Sequence, residues 1–152
     1  MKQDLSLLRR RLVATIRKSI PPGRVPAVLP DGRFADVNYR DRHLGSWGPV
    51  KHLQHLEVLA RDGGEPAIRA LDHWLKHDYQ SENGWFNDVG VPRILAHIAL
   101  LLGDTLTGPR RRQVLKILTR AKVGWTGANL LDLGMITLQD RKSTRLNSSH
   151  RT

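Results

Sequence analysis

No cysteine occurs in the 152 residues. Disulfides, thiolate nucleophiles and sulfur-ligated metals are therefore outside the available chemistry, which fits any compartment. Long apolar runs are missing too. The longest, "ILAHIALLLG" from Ile94 to Gly103, is interrupted by His97 and falls short of the about 20 residues a membrane helix needs. No secretory leader is visible, because the arginines of "MKQDLSLLRRRLVATIRKS" fall where an apolar core should run unbroken. Either the protein is intracellular or this chain does not begin where its gene does. Acidic residues are scarce, at 14 against 25 lysines and arginines, giving a formal charge of +11 and a pI of about 11.0. Such a balance suits an anionic partner (nucleic acid, an anionic membrane or an acidic polysaccharide) and says nothing about fold.

The polar end, "DRKSTRLNSSHRT", follows an apolar periodic segment without a stop signal. Its residues 140–150 match one reading frame of a common sequencing adapter, so 140–152 are expected to be a non-native, disordered tail. The tail holds four basic residues and one acidic, which lowers the balance on residues 1–139 from +11 to +8. The expectation is a fragment cut off near Gln139.

What is present is helical. Leu5, Leu8, Leu12, Ile16 and Ile20 recur at spacings of three and four, predicting a helix over 4–20 with Arg9, Arg10, Arg17 and Lys18 opposite. "PPGRVPAVLPDGRF" breaks it into an extended connector. From Ser46 onward the pattern becomes hairpins. Trp47, Val50, Leu53, Leu56 and Leu59 share a face that "DGG" at 62–64 ends, and Glu65-Pro66 opens the next helix with proline in its favoured first turn. Further helices are predicted from about Pro92 to Leu102, from Thr107-Gly-Pro109, and from near Ala128. No segment sustains the alternation of a strand. Short loops between helices of similar length imply antiparallel neighbours, hence an all-α array of helical hairpins.

His52 and His55 stand at i, i+3 and His73 and His77 at i, i+4. The second spacing suits two zinc ligands, but no H-E-x-x-H glutamate or third ligand accompanies it, so packing or surface histidines and no metal are expected. "GPRRRQ" at 108–113 and the arginine-rich first helix could hold phosphate, yet no aromatics interleave with them as single-strand binding requires, and a solvated face is expected. No nucleophile elbow, phosphate loop or dinucleotide fingerprint occurs, and no cofactor is implied.

"SENGWFNDVGVPR", residues 81–93, sets Trp85 and Phe86 side by side in a Gly/Asn/Asp turn, where both cannot enter one core. Trp85 and Trp125 lie at helix-starting loops, where helical arrays build clefts, and flat rings there serve as stacking platforms for sugars or bases. Asn129 follows Gly-Ala at a predicted helix start, where backbone N–H groups favour an anion and an amide adds a donor for a carboxylate. The alternatives are a core Trp85 and an N-capping Asn129.

Three segments, in order, resemble the N-terminal helical domain of the polysaccharide lyase family 8 enzymes, the hyaluronate, chondroitin AC and xanthan lyases. "DGRFADVNYRDRHLGSWGPVKHLQHLEVLA" is similar to the family's "W-x-D-I-x-Y … W-x-P-x-x-H-L-x-R-L", "HWLKHDYQSENGWFNDVGVPRILAHIALLL" to "Y-W-L … N-W-W-x-N-E-I-G-V-P-R", and "TGANLLDLGMITLQ" to "T-G-A-N-x-x-D". The resemblance covers 4–139 in outline. It implies part of an incomplete α/α toroid over 1–139 and cleavage of a uronic-acid-containing polysaccharide (hyaluronan, chondroitin or xanthan type) by β-elimination. It further implies an extracellular or periplasmic, monomeric enzyme with no nucleic-acid or membrane partner. By the same resemblance Asn129 neutralises the uronate carboxylate and Trp85 belongs to the aromatic patch that positions the chain, while Phe86, Asn87 and Trp125 are further candidate substrate contacts. Gly84 stands where the family's first tryptophan would be and Asp88 where a glutamate is usual, with Phe86 placed to restore part of the patch. The family's proton-transferring histidine and tyrosine lie on later helices, so these 152 residues alone are expected to be inactive, with marginal stability from open apolar faces. A stand-alone glycan-binding module and a basic nucleic-acid-binding protein are the competing readings.

Overall fold

The computed structural model describes residues 2–21 and 23–120. Its helices are α1 (Lys2–Ser19), α2 (Val50–Ala60), α3 (Glu65–His77), α4 (Val91–Leu102) and α5 (Gly108–Leu118). Between α1 and α2 the chain is irregular, with one isolated antiparallel bridge, Val28 to Phe34. No strand forms among the described residues, so the all-α reading of hairpins holds. The predicted final helix near Ala128, and with it Trp125, Asn129 and the tail, lies outside the described residues.

Helix α4 is the hub, packing against α1, α2 and α5, while α3 packs on α2 and α5. Nine of its twelve residues are buried. A helix apolar on nearly every side has to be surrounded. Helices α2 and α3 are joined only by Arg61–Gly64, where Gly63 and Gly64 take positive φ and reverse the chain. Leu53 and Leu56 of α2, Leu71 and Trp74 of α3, Leu95 and Ile98 of α4, and Leu118 of α5 are fully sealed. Leu7 and Leu8 of α1, Leu44 and Trp85 are the large hydrophobics left exposed among the described residues.

The start of α4 differs from expectation, and Pro92 is the cause. Residues 81–93 are not a loop followed by a helix at Pro92. Helical backbone begins at Gly84, passes through a π-turn over Phe86–Gly90, and runs into α4. Pro92 has no N–H for the carbonyl four residues earlier and its ring crowds that carbonyl, so the backbone widens into the i→i+5 pattern. Accordingly the N–H of Val91 donates to the Phe86 carbonyl. The resulting run, Phe86–Thr105, is by length and composition apolar enough to cross a membrane, contrary to the shorter span expected from sequence, but 61% of the relevant window is buried in this fold. Its far end is set by Gly103 at φ 51°, which stops α4 after Leu102.

Candidate functional site

Trp85 and Phe86 part company as two neighbours on a helix must, about 100° apart. Phe86 goes inward, 8% exposed, its centroid 5.5 Å from that of the buried Trp47. Trp85 stays 52% exposed. It is nonetheless held. Its ring meets Phe86 edge-on at 5.2 Å and lies directly over Gly90. The Asn83 Oδ1 accepts the Trp85 N–H at 3.0 Å, and the Asn83 Nδ2 donates to the Leu44 carbonyl at 2.7 Å, tying this helix start to the 41–47 loop. Asn87 clamps the same turn, accepting the Ser81 N–H and donating to the Ser81 carbonyl, both at 2.8 Å.

These contacts set Phe86 and Asn87 in the packing of the turn. Phe86 supports Trp85 from beneath and does not extend an apolar patch over Gly84, because the packing of Trp47 claims its ring. The Asn87 amide is engaged by the loop backbone, so it positions the turn. Beside Gly84 there is open space, its nearest neighbour to an added Cβ being an Asp88 carboxylate oxygen at 3.9 Å. Asn83 and Gly90 do not stand out in the sequence, although an asparagine immediately before a helix start is a capping signal.

Gly90 is the piece that lets the indole lie flat. A Cβ there would come within 2.9 Å of the Trp85 ring and 3.3 Å of the Phe86 ring. Gly90→Ala should therefore swing Trp85 off its seat with little loss of fold, since an exposed ring can move. The check is tryptophan fluorescence quenching by acrylamide, which should rise in Gly90→Ala and stay level in Gly84→Ala. Equal quenching in the two variants would refute the seating role.

Behind this edge lies a fixed hydrogen-bond system. The Ala70 carbonyl can only accept, so the His52 Nε2 donates to it at 2.8 Å and the His52 Nδ1 must accept from the Tyr39 hydroxyl, also at 2.8 Å. Tyr39 in turn accepts the Phe34 N–H at 2.8 Å. A second relay runs parallel. The His73 Nδ1 donates to the Asp31 carbonyl at 3.2 Å and the His73 Nε2 accepts the Tyr79 hydroxyl at 2.7 Å. Burial drives His52 down to about 4 and lowers His73 as well, His77 adding to the latter. Burial likewise pushes Tyr39 up to about 12 and raises Tyr79. Both histidines are thus neutral and both phenols protonated, as the relays need.

The histidine pairs accordingly divide. His52 and His73 are structural, whereas the His55 Nε2 meets the Asp36 carboxylate at 2.9 Å, with the Lys51 ammonium on the same carboxylate at 3.0 Å. Among the described residues no three His, Cys, Asp or Glu side chains come together to hold a metal. The arginine cluster divides too. Arg110 grips Asp72 with two bonds of 2.7 and 2.9 Å, and the buried Arg111 donates to the Leu106 carbonyl at 2.7 Å. Arg112 between Arg111 and Gln113 stays exposed, so the cluster is only partly a solvated face.

No protein-family model matches the chain. It is 25% identical to Chondroitinase-AC of Pedobacter heparinus over an alignment of 152 residues, covering 85% of this chain and 22% of that protein. A solved chondroitinase AC lyase, from structures of enzyme–oligosaccharide complexes, superposes with a TM-score of 0.67 at 19% identity, over 93% of this chain and 25% of that one. The chain thus spans about a quarter of the length of either. In sequence the chain is thus similar to chondroitinase AC, and its all-α fold matches that of a chondroitinase AC lyase, an α/α toroid.

Proposed function

We propose that this chain supplies part of the substrate cleft of a lyase that cleaves a uronic-acid-containing polysaccharide by β-elimination, residues 1–139 being that share of the toroid. The observation that carries the reading is Trp85, an exposed indole packed against Gly90 and Phe86, its backbone N–H bonded to Asn83. A rigid flat ring can stack on the apolar face of a sugar at small entropic cost. Homology to chondroitinase AC over most of the chain supports the substrate class.

The chemistry assigns the remaining roles. The C5 proton of a uronate is weakly acidic because an ionised carboxylate adjoins it. An amide donor to that carboxylate offsets the charge that develops as the proton leaves, which is the part proposed for Asn129, with Trp125 as a second platform. Elimination then breaks the C4–O bond and leaves an unsaturated uronate. Among the described residues neither tyrosine is placed to take the C5 proton, since Tyr39 donates to His52 and Tyr79 to His73. We therefore propose that these 152 residues bind substrate without turning it over. Secretion of the whole enzyme belongs to the same proposal.

The test is calorimetric titration of the chain with hyaluronan or chondroitin oligosaccharides. Trp85→Ala should weaken binding by about tenfold, which corresponds to roughly 1.4 kcal/mol for a lost aromatic stack. Unchanged binding would sink the proposed platform. Appearance of unsaturated uronate absorbance with the unmodified chain would sink the proposed division of labour.

A further inference from the structure

A cavity of about 510 Å³ opens between the Pro30–Arg33 turn and the C-terminal half of α3, walled by Tyr39 and Tyr79. The same two tyrosines wall a neighbouring cavity of about 450 Å³, with Arg40 and Arg42 at its rim. Most charges around the first cavity are already satisfied. Arg33 bonds Asp31 at 2.6 Å, Arg69 holds Glu65 and the Val28 and Leu29 carbonyls, and Asp72 holds Arg110. Lys76 differs. It is exposed and forms no ion pair with any described residue. His77 beside it is exposed as well, its ring 5.3 Å from Tyr79 in a stacked arrangement and 4.3 Å from His73.

We infer that this cavity is a second recognition site for an acidic glycan, taking the carboxylate or sulfate ester of a sugar unit against Lys76 and His77. The inference rests on the proposed function and extends it to a place away from Trp85. Its chemistry is mixed in the way a sugar requires. The Lys76 ammonium and the His77 imidazole face an anion. The Tyr79 oxygen, whose proton is given to His73, and the Asp31 and Asp72 carboxylates accept from sugar hydroxyls. The stacked Tyr79–His77 pair provides a flat apolar strip. A phosphodiester chain would meet the same two carboxylates with few hydroxyls to offer them. Tyr79 and Trp85 are six residues apart, which bounds their separation at roughly 20 Å, within reach of one oligosaccharide.

The experiment titrates the full chain with a chondroitin sulfate hexasaccharide, with its carboxyl-reduced and desulfated counterpart, and with single-stranded DNA of matched charge. Lys76→Gln should weaken the charged hexasaccharide by about fivefold and leave the neutral one unchanged, with a smaller loss for His77→Gln. Separate carboxyl-reduced and desulfated hexasaccharides then show which anion Lys76 reads. Lys76 and His77 are exposed, and a near-UV spectrum matching the unmodified chain establishes that the fold is kept. Loss of neither oligosaccharide, or equal loss of both, in Lys76→Gln overturns the site while Trp85→Ala still reports on the cleft proposal. Charged-sugar binding that falls in Lys76→Gln but survives in Trp85→Ala supports this site and removes the stacking platform. No binding of any oligosaccharide by the unmodified chain overturns both, and a Lys76 dependence greater for DNA overturns the glycan assignment.

Discussion

Replacing Gly32 by alanine should cost about 4 kcal/mol, a large share of what a single domain of this size holds in reserve. The turn from Leu29 to Arg33 lies directly on α3. A Cβ at position 32 would stand 2.5 Å from the Arg69 carbonyl oxygen and 2.7 Å from the His73 Cβ. Neither neighbour can give way easily, since both belong to the helix body. The backbone also has φ +89° there, a region in which an L side chain is strained by about 1–2 kcal/mol. Displacing the turn would in addition pull on the Arg69 bonds to the Leu29 and Val28 carbonyls, at 3.1 and 3.0 Å, and on the His73 bond to the Asp31 carbonyl. Urea unfolding should show the midpoint collapse in Gly32→Ala and stay within about 0.5 kcal/mol in Gly84→Ala, where an added methyl meets open space. A chain already unfolded in buffer would be the extreme of the same result. If the two alanine variants melt alike, the turn does not hold α3 in the way the geometry requires.

Gly32 also marks where sequence reading stops. "PPGRVPAVLPDGRF" declares itself a connector through its prolines and glycines, but nothing in it tells which helix it covers. Arg69 and His73 lie about 40 residues away, and only folding brings them to this turn. The helices themselves were legible because burial has a period. Glu65-Pro66 and Thr107-Gly-Pro109 mark starts, and the structure begins α3 at Glu65 and α5 at Gly108. The π-turn was not legible, since it arises from a conflict between Pro92 and a carbonyl one turn earlier. That conflict changes where the helix begins, not its apolar pattern. Trp85 and Phe86 stand alike in sequence without an evident core, and the structure leaves Trp85 52% exposed while burying Phe86. Which of the two turns inward is illegible because a dipeptide in a supposed loop carries no facing, whereas one on a helix does. Histidines posed the same problem. His52 and His55 look equivalent at i, i+3, yet one donates into the α2–α3 interface and the other meets Asp36 at the surface. Spacing gives the angle between side chains and leaves open what stands opposite each.

The buried relay at His52 should make the fold acid-sensitive between about pH 6.5 and 4. In the folded chain burial holds its pKa at about 4, against 6.5 when solvated. Between those values the unfolded chain binds a proton that the folded chain refuses, so stability rises with pH there. The contribution is complete above about pH 6.5 and is lost as the pH falls toward 4. Its size is about 3 kcal/mol, because each tenfold loss of proton affinity on folding is worth about 1.4 kcal/mol. His73, also lowered chiefly by burial, adds in the same direction. Carboxylates act lower down. Asp41, brought to about 2 first by its hydrogen bonds from His43, and Asp31, lowered first by the Arg33 N–H, contribute above the ordinary carboxylate value and lose that only below it. Urea midpoints measured from pH 7.5 to 4 should therefore fall with a slope near one to two protons. His52→Gln should be less stable at pH 7.5, because the Tyr39 hydroxyl loses its acceptor, and yet lose stability less steeply on acidification. The diagnostic is the slope and not the starting value. Parallel loss in the variant and the unmodified chain would mean that His52 is not the group refusing the proton, and the tautomer fixed by Ala70 and Tyr39 would then have to be abandoned.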